Sequence, residues 1–220
     1  MAKRALSEAV LVIGLGRFGS SIATTLDALG REVLAVESDP VLVQKWSHRF
    51  RVIEADATSP EALEQLGARD FPFAVVAVGT SVEASVLITA NLVDLGLEQV
   101  WAKAMSVAHG TILNRIGAHH VVYPEHDAGE RVAHMVSGKM LDYIEIEDHF
   151  AVVKMFAPAQ LQNQSLEELN LPQKYGITVI GIKPPDMPFE YATPQLKFGA
   201  GDVIIISGAA DAVETFVNKF

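Results

Sequence analysis

Residues 10–26, VLVIGLGRFGSSIATTL, constrain this chain more than any other stretch. Four apolar residues run into Gly14-Leu15-Gly16-Arg17-Phe18-Gly19, after which Ile22, Leu26 and Leu29 continue the helical spacing begun at Phe18. A buried strand, a glycine turn and a helix, in that order, form the phosphate-binding corner of a doubly wound α/β sheet. Gly14 permits the tight turn, Gly16 lets backbone approach phosphate oxygens, and Gly19 lets the helix pack closely on the strand. The helix N-terminus, from Arg17 and Phe18 onward, adds unpaired N–H groups and partial positive charge.

The chain up to residue 124 repeats this strand–helix alternation. Short apolar runs recur at 9–14, 32–37, 51–56, 73–79, 99–104 and 119–124. Val, Ile and Ala dominate them with little alternation, the pattern of strands covered on both faces. Asp39-Pro40 and Ser59-Pro60 read as caps followed by first-turn prolines, each opening a helix. Six strands alternating with helices predict a Rossmann-like, mostly parallel sheet with right-handed crossovers. Beyond residue 125 the character changes. Asp127 and Glu130 suggest a capping box opening a helix to about Met140. Then come strand patterns at 143–148, 151–158, 177–185 and 202–208, a short helix capped by Ser165 and Glu168, and a last helix over 211–220. We therefore expect a nucleotide-binding domain with a crossover helix over 1–142, and a small α+β domain over 143–220. The second is small enough that dimerisation would help it stand.

Ligands of such sheets lie outside the carboxyl ends of the strands. Glu37 ends the second strand, 23 positions after Gly14. A carboxylate there suits the ribose hydroxyls of an adenosine and repels a 2′-phosphate, which disfavours NADP. Asp56-Ala57 follows the third strand and would border adenine. Gly79-Thr80 follows the fourth and would close beside the phosphates, although Thr80 or Ser81 serves equally as a helix cap. Lys103 ends the fifth strand, where its ammonium either faces the crevice or snorkels to the surface. Arg17 is the odd element, because backbone amides already satisfy a pyrophosphate. A guanidinium on the first turn is disfavoured by the helix dipole, yet it adds bidentate capacity for further phosphate charge. That favours ATP or ADP over NAD.

Chemistry beside the nucleotide is hard to find. His119 and His120 are adjacent on a strand and point to opposite faces; His109 and His134 lie in expected helices. His48, His126 and His149 show no carboxylate partner at readable spacing. No zinc-protease, nucleophile-elbow or Walker-lysine motif occurs. The absence of cysteine removes thiolate metal sites and thiol nucleophiles, and it suits a reducing cytoplasm. A net charge of −10 disfavours a general nucleic-acid surface. No apolar run approaches the ~20 residues a membrane span needs. A nucleotide site without a catalyst points to a sensor; a small NAD-dependent oxidoreductase and a soluble NAD(H)-responsive regulator are the alternatives.

GLGRFG, EADAT, the block VAVGTSVEASVLITANLVDLG and above all VWAKAMSVAHGTILNRIGAHHVVYPEHDAGERVA resemble the RCK, or KTN, domain of Ktr/Trk-type potassium uptake regulatory subunits. SLEELNLPQKYGITVIGIK and GDVIIISG resemble the C-terminal domain of that family. The resemblance implies a cytoplasmic, non-enzymatic subunit, peripheral to the inner membrane through a potassium-translocating partner. It implies ATP, ADP or NAD(H) in the crevice, and homodimers assembling into an octameric ring. It gives Arg17 a role at the terminal phosphate and Glu125 a role holding Mg²⁺ or Ca²⁺, although a carboxylate at 125 also suits a helix N-terminus. Some relatives take cyclic di-AMP on the C-terminal domain, for which no matching residues stand out here.

Overall fold

The computed structural model describes residues 9–136, 139–146 and 149–220. Six strands form one all-parallel sheet: β1 (Val10–Ile13), β2 (Val33–Glu37), β3 (Arg51–Glu54), β4 (Phe73–Val76), β5 (Gln99–Lys103) and β6 (His120–Val122). Their order is β3-β2-β1-β4-β5-β6, so the direction of winding reverses between β1 and β4. Val12 stands in register between Ala35 on β2 and Val75 on β4. Every residue of β1 and β2 is buried, as their unalternating apolar strings require. The edge strands β3 and β6 are half exposed, so full burial is confined to the sheet centre.

Six helices follow the six strands: α1 (Arg17–Ala28), α2 (Pro40–Trp46), α3 (Pro60–Gln65), α4 (Val82–Asp94), α5 (Val107–Arg115) and α6 (Pro124–Val136). The caps form as expected: Asp39 accepts from the Val41 N–H, and Ser59 from the Ala62 N–H. Between Thr80 and Ser81, the cap of α4 is Ser81, which accepts from the Ala84 N–H. One core packs Leu63, Ile88, Leu92 and Leu113 of α3, α4 and α5 against Leu11, Ile13 and Val76. The opposite sheet face carries α1 and α2.

Helix α1 does not bury the stripe its periodicity suggests. Its buried positions are Gly19 and Ala23, one residue along, because only small side chains allow its close approach to the sheet. Phe18, Ile22 and Leu26 instead line an apolar groove of about 380 Å³ with Phe73, Trp101 and Val122. Phe73 and Trp101 remain partly exposed, so this face of β4 and β5 departs from the expected burial.

His109 on α5 is buried at 2% exposure. Its Nδ1 accepts from the Met105 N–H at 3.3 Å, which puts the ring proton on Nε2. Burial lowers the pKa of this histidine. The unfolded chain therefore takes up a proton here at a higher pH than the folded chain does. The stability this ring contributes is complete above the ordinary histidine value of about 6.5 and is lost as pH falls below it. Urea midpoints of the wild type should decline between about pH 7.5 and 5.5, and the decline should be shallower in His109→Gln.

The chain divides into two compact units, residues 1–125 and 126–220. The expected division at 142/143 assigns most of α6 differently. That helix starts at Pro124, whose fixed φ suits a first turn, so Asp127 lies inside it and is not its cap. It does not reach Met140, which opens a strand. In the second unit β7 (Met140–Ile146), β8 (Phe150–Phe156), β9 (Ile177–Lys183), β10 (Glu190–Tyr191) and β11 (Val203–Ala209) form a sheet in the order β10-β9-β11-β8-β7. Expected strand residues 147 and 148 lie outside the described residues. Alternation along β8 buries Ala151, Val153 and Met155. These face a core containing Phe198, Ile204, Ile206 and Phe216. Two short helices, α7 (Leu166–Leu169) and α8 (Leu171–Tyr175), and the last helix, α9 (Ala210–Lys219), complete the unit. The expected capping box of Ser165 and Glu168 is present on α7. Among the described residues no helix is long and apolar enough to cross a membrane.

Candidate functional site

The loop between β1 and α1 lies beside the point where the strand order reverses. Gly14 has φ +91°, which a side chain rarely adopts, and a Cβ there would press on the Ala77–Val78 backbone at 3.3 Å. A Cβ on Gly19 would collide with the carbonyl oxygen of Gly14. At Gly16, by contrast, a Cβ would meet nothing within 4 Å, so the backbone there is open to a ligand. Gly16 is the N-cap of α1, and no side chain caps the helix. Its first-turn amides are therefore available to an anion. Arg17 opens α1 and is exposed, and among the described residues it has no ion pair. Phe18 contributes its amide to this turn while its ring lines the apolar groove on the sheet face.

Glu37 is buried at the end of β2 and braces this loop. One carboxylate oxygen accepts from the Leu15 N–H at 2.6 Å. The other accepts from the N–H groups of Ser38 at 2.8 Å and Asp39 at 3.0 Å. A carboxylate offers about four acceptor positions; three take main-chain N–H groups, and the Ser38 hydroxyl stands at the fourth at 3.5 Å, a long contact that a ribose hydroxyl can displace. Accepting two ribose hydroxyls requires Glu37 to release a backbone amide. Sequence reasoning found the residue but not this bracing role, since main-chain donors leave no signature in side-chain types.

A cavity of about 120 Å³ extends from Gly14 and Glu37 to Asp56, Ala57 and Thr80. Asp56 is exposed, and one of its oxygens accepts from both the N–H (3.0 Å) and the hydroxyl (2.7 Å) of Thr58. Those bonds hold its carboxyl below the usual carboxylate range. Ala57 lines the same cavity and is buried against the core.

Gly79, Lys103 and Glu125 form a second group. Lys103 is buried, and its ammonium donates to Glu125 Oε1 at 2.6 Å. The ammonium also stands 5.7 Å over the Phe18 ring and 3.2 Å from where a Cβ on Gly79 would be. It is neither a snorkelling surface lysine nor an unpaired crevice cation. Its hydrogen bond lowers the pKa of Glu125, with its charge and that of Arg17 adding to the effect. Glu125 stands alone as a metal ligand here: among the described residues no group of three or more His, Cys, Asp or Glu side chains comes together. The residues present do not by themselves make a divalent-cation site.

Three histidines have carboxylate partners that the sequence did not suggest. His126 lies 3.5 Å from Glu130 one turn on, His149 lies 3.2 Å from Glu145, and His134 lies 3.6 Å from Glu214 while stacking on Tyr143. The Tyr143 hydroxyl is pushed up to about 12 by burial and then by its bond to Glu145. Each of these pairs lies within residues 126–220.

Comparison with known proteins agrees with this architecture. Residues 10–124 match the TrkA-N domain and residues 157–220 the TrkA-C domain. The chain is 34% identical to the Ktr system potassium uptake protein A of Bacillus subtilis (strain 168), over 94% of this chain and 95% of that one. It is 32% identical to the Ktr system potassium uptake protein A of Vibrio alginolyticus, over 91% and 92%. The solved structure of the GsuK channel bound to NAD shares the fold at a TM-score of 0.53 and 21% identity. That match covers 96% of this chain but 38% of the channel chain. Its two domains, their order and near full-length identity above 30% make this chain a member of the Ktr-type potassium uptake protein family, built from one TrkA-N and one TrkA-C domain.

Proposed function

We propose that this chain is a nucleotide-sensing regulatory subunit that gates a potassium-translocating membrane protein and performs no catalysis of its own. The β1–α1 loop carries the proposal: uncapped amides at Gly16 and beyond, the Glu37 carboxylate at the ribose end, and the exposed Arg17 guanidinium at the phosphate end. Membership of the potassium uptake family and the NAD-bound state of GsuK support the same assignment. A ligand moves a regulator between two states only by binding them unequally. Telling ATP from ADP then requires a contact with the third phosphate, a role assigned here to Arg17 because its guanidinium is exposed on the first turn of α1.

The protein works at the cytoplasmic surface of the inner membrane in this proposal, as a homodimer assembled further into an octameric ring. The groove between α1 and the exposed faces of Phe73 and Trp101 suits a second copy, because it is apolar and open among the described residues. A divalent cation, Mg²⁺ or Ca²⁺, would need ligands from nucleotide phosphates or a second chain in addition to Glu125. In the second unit, a cavity of about 440 Å³ beside Asn170 and Thr178 is the place to look for cyclic di-AMP.

Calorimetric titration of Arg17→Ala tests the phosphate assignment. The variant should bind ATP roughly tenfold more weakly, the size of one charge-assisted hydrogen bond, while ADP affinity changes little. An unchanged ratio of ATP to ADP affinity would remove Arg17 from this role.

A further inference from the structure

The Lys103–Glu125 pair sits at an informative place in the chain. Lys103 ends β5 at the carboxyl edge of the sheet, and its ammonium lies between the Phe18 ring, Gly79 (which precedes Thr80 of the crevice lining), and Glu125. Glu125 is in the first turn of α6, the helix that carries the chain from its first compact unit into its second. The partners are unequal. The lysine side chain is 10% exposed and the glutamate 66%. The ammonium is thus the desolvated member, and among the described residues Glu125 is its one ion-pair partner.

We propose that this ion pair is an occupancy-sensing latch, in which phosphate entering the crevice draws the Lys103 ammonium away from Glu125 and so alters the first turn of α6. The inference rests on the nucleotide-binding role proposed above. A buried ammonium on a flexible stem goes to the stronger nearby anion, and a nucleotide phosphate carries more charge than one exposed carboxylate. Glu125 then loses its cation just as further negative charge arrives. Among the described residues, the helix dipole and the charge of Arg17 are then left to stabilise it, with water or a divalent cation that enters with the phosphates. The pair also opposes binding, since a nucleotide must break it to recruit Lys103.

A double-mutant cycle on the full chain tests the latch, with ADP as the probe and calorimetry as the readout. Glu125→Gln keeps the shape and removes the competitor, so ADP should bind about threefold to tenfold tighter. Lys103→Met keeps the stem and removes the charge, so ADP should bind more weakly. In the Lys103→Met background, the gain from Glu125→Gln should shrink to less than half. Simple repulsion between Glu125 and phosphate predicts the reverse, a gain as large or larger without the lysine, and that outcome overturns the latch. Hydrogen–deuterium exchange supplies the structural readout. ADP should speed exchange in the second turn of α6, whose amides bond to the carbonyls of the first, in the wild type and leave it unchanged in Glu125→Gln; equal responses also overturn the proposal. If ADP fails to bind the wild type at all, the nucleotide role falls and the latch with it. That result is distinct from binding that ignores the pair.

Discussion

Gly19→Ala should unfold the first unit about 6 °C earlier than the wild type and reduce nucleotide binding below detection. In an ordinary helix this substitution stabilises by about 1 kcal/mol. Here the added methyl would overlap the carbonyl oxygen of Gly14, a main-chain atom fixed in the turn after β1. The neighbouring Gly14 amide is itself bonded to the Val36 carbonyl at 2.8 Å, so the turn cannot yield without disturbing β2. The helix must move instead, at an overpacking cost of about 3 kcal/mol that outweighs the propensity gain. Displacing α1 also takes its N-terminal amides out of line with the crevice. Thermal melts followed by circular dichroism, paired with ADP titration, check both halves. A stabilised variant that still binds would contradict the close packing of α1 on β1.

Glu37→Ala should cost about 2–3 kcal/mol and should also abolish binding. The substitution removes the acceptor of three main-chain N–H groups. Ser38 and Asp39 are open enough for water to replace part of that loss. The Leu15 amide is buried, and an unsatisfied buried donor bears its full desolvation penalty. Glu37→Gln should lie between the two in stability, since its one amide oxygen serves one set of donors while its NH₂ faces the other. Urea titration ranks the three proteins. Equal stability of all three would mean that Glu37 does not brace the loop.

Much of the fold was legible because the residues concerned act locally. Gly14 and Gly19 specify the turn and the close helix packing through backbone sterics, and Asp39-Pro40, Ser59-Pro60 and Ser165 with Glu168 satisfy helix ends within a few positions. Parallel strands buried on both faces are visible as unbroken Val, Ile and Ala strings. What escaped depends on partners distant in sequence. Lys103 and Glu125 are 22 positions apart, and neither residue type alone says that one neutralises the other. The grip of Glu37 on Leu15 spans the same interval. Asp127 and Glu130 imitate a capping box, but Pro124 starts the helix earlier, and a local pattern cannot rank two competing starts. The stripe of Phe18, Ile22 and Leu26 has helical period yet is only half-buried and lines a groove that is open among the described residues. Periodicity shows which residues share a face, not what that face meets.

Equilibrium dialysis of radiolabelled ADP against the purified full chain, the wild type beside Gly19→Ala and Glu37→Ala, tests the central claim most directly. The β1–α1 crevice predicts saturable binding of one ADP per wild-type chain and its loss in both variants. No binding to the wild type would remove the nucleotide role, and undiminished binding in both variants would place the nucleotide elsewhere; either contradicts the account.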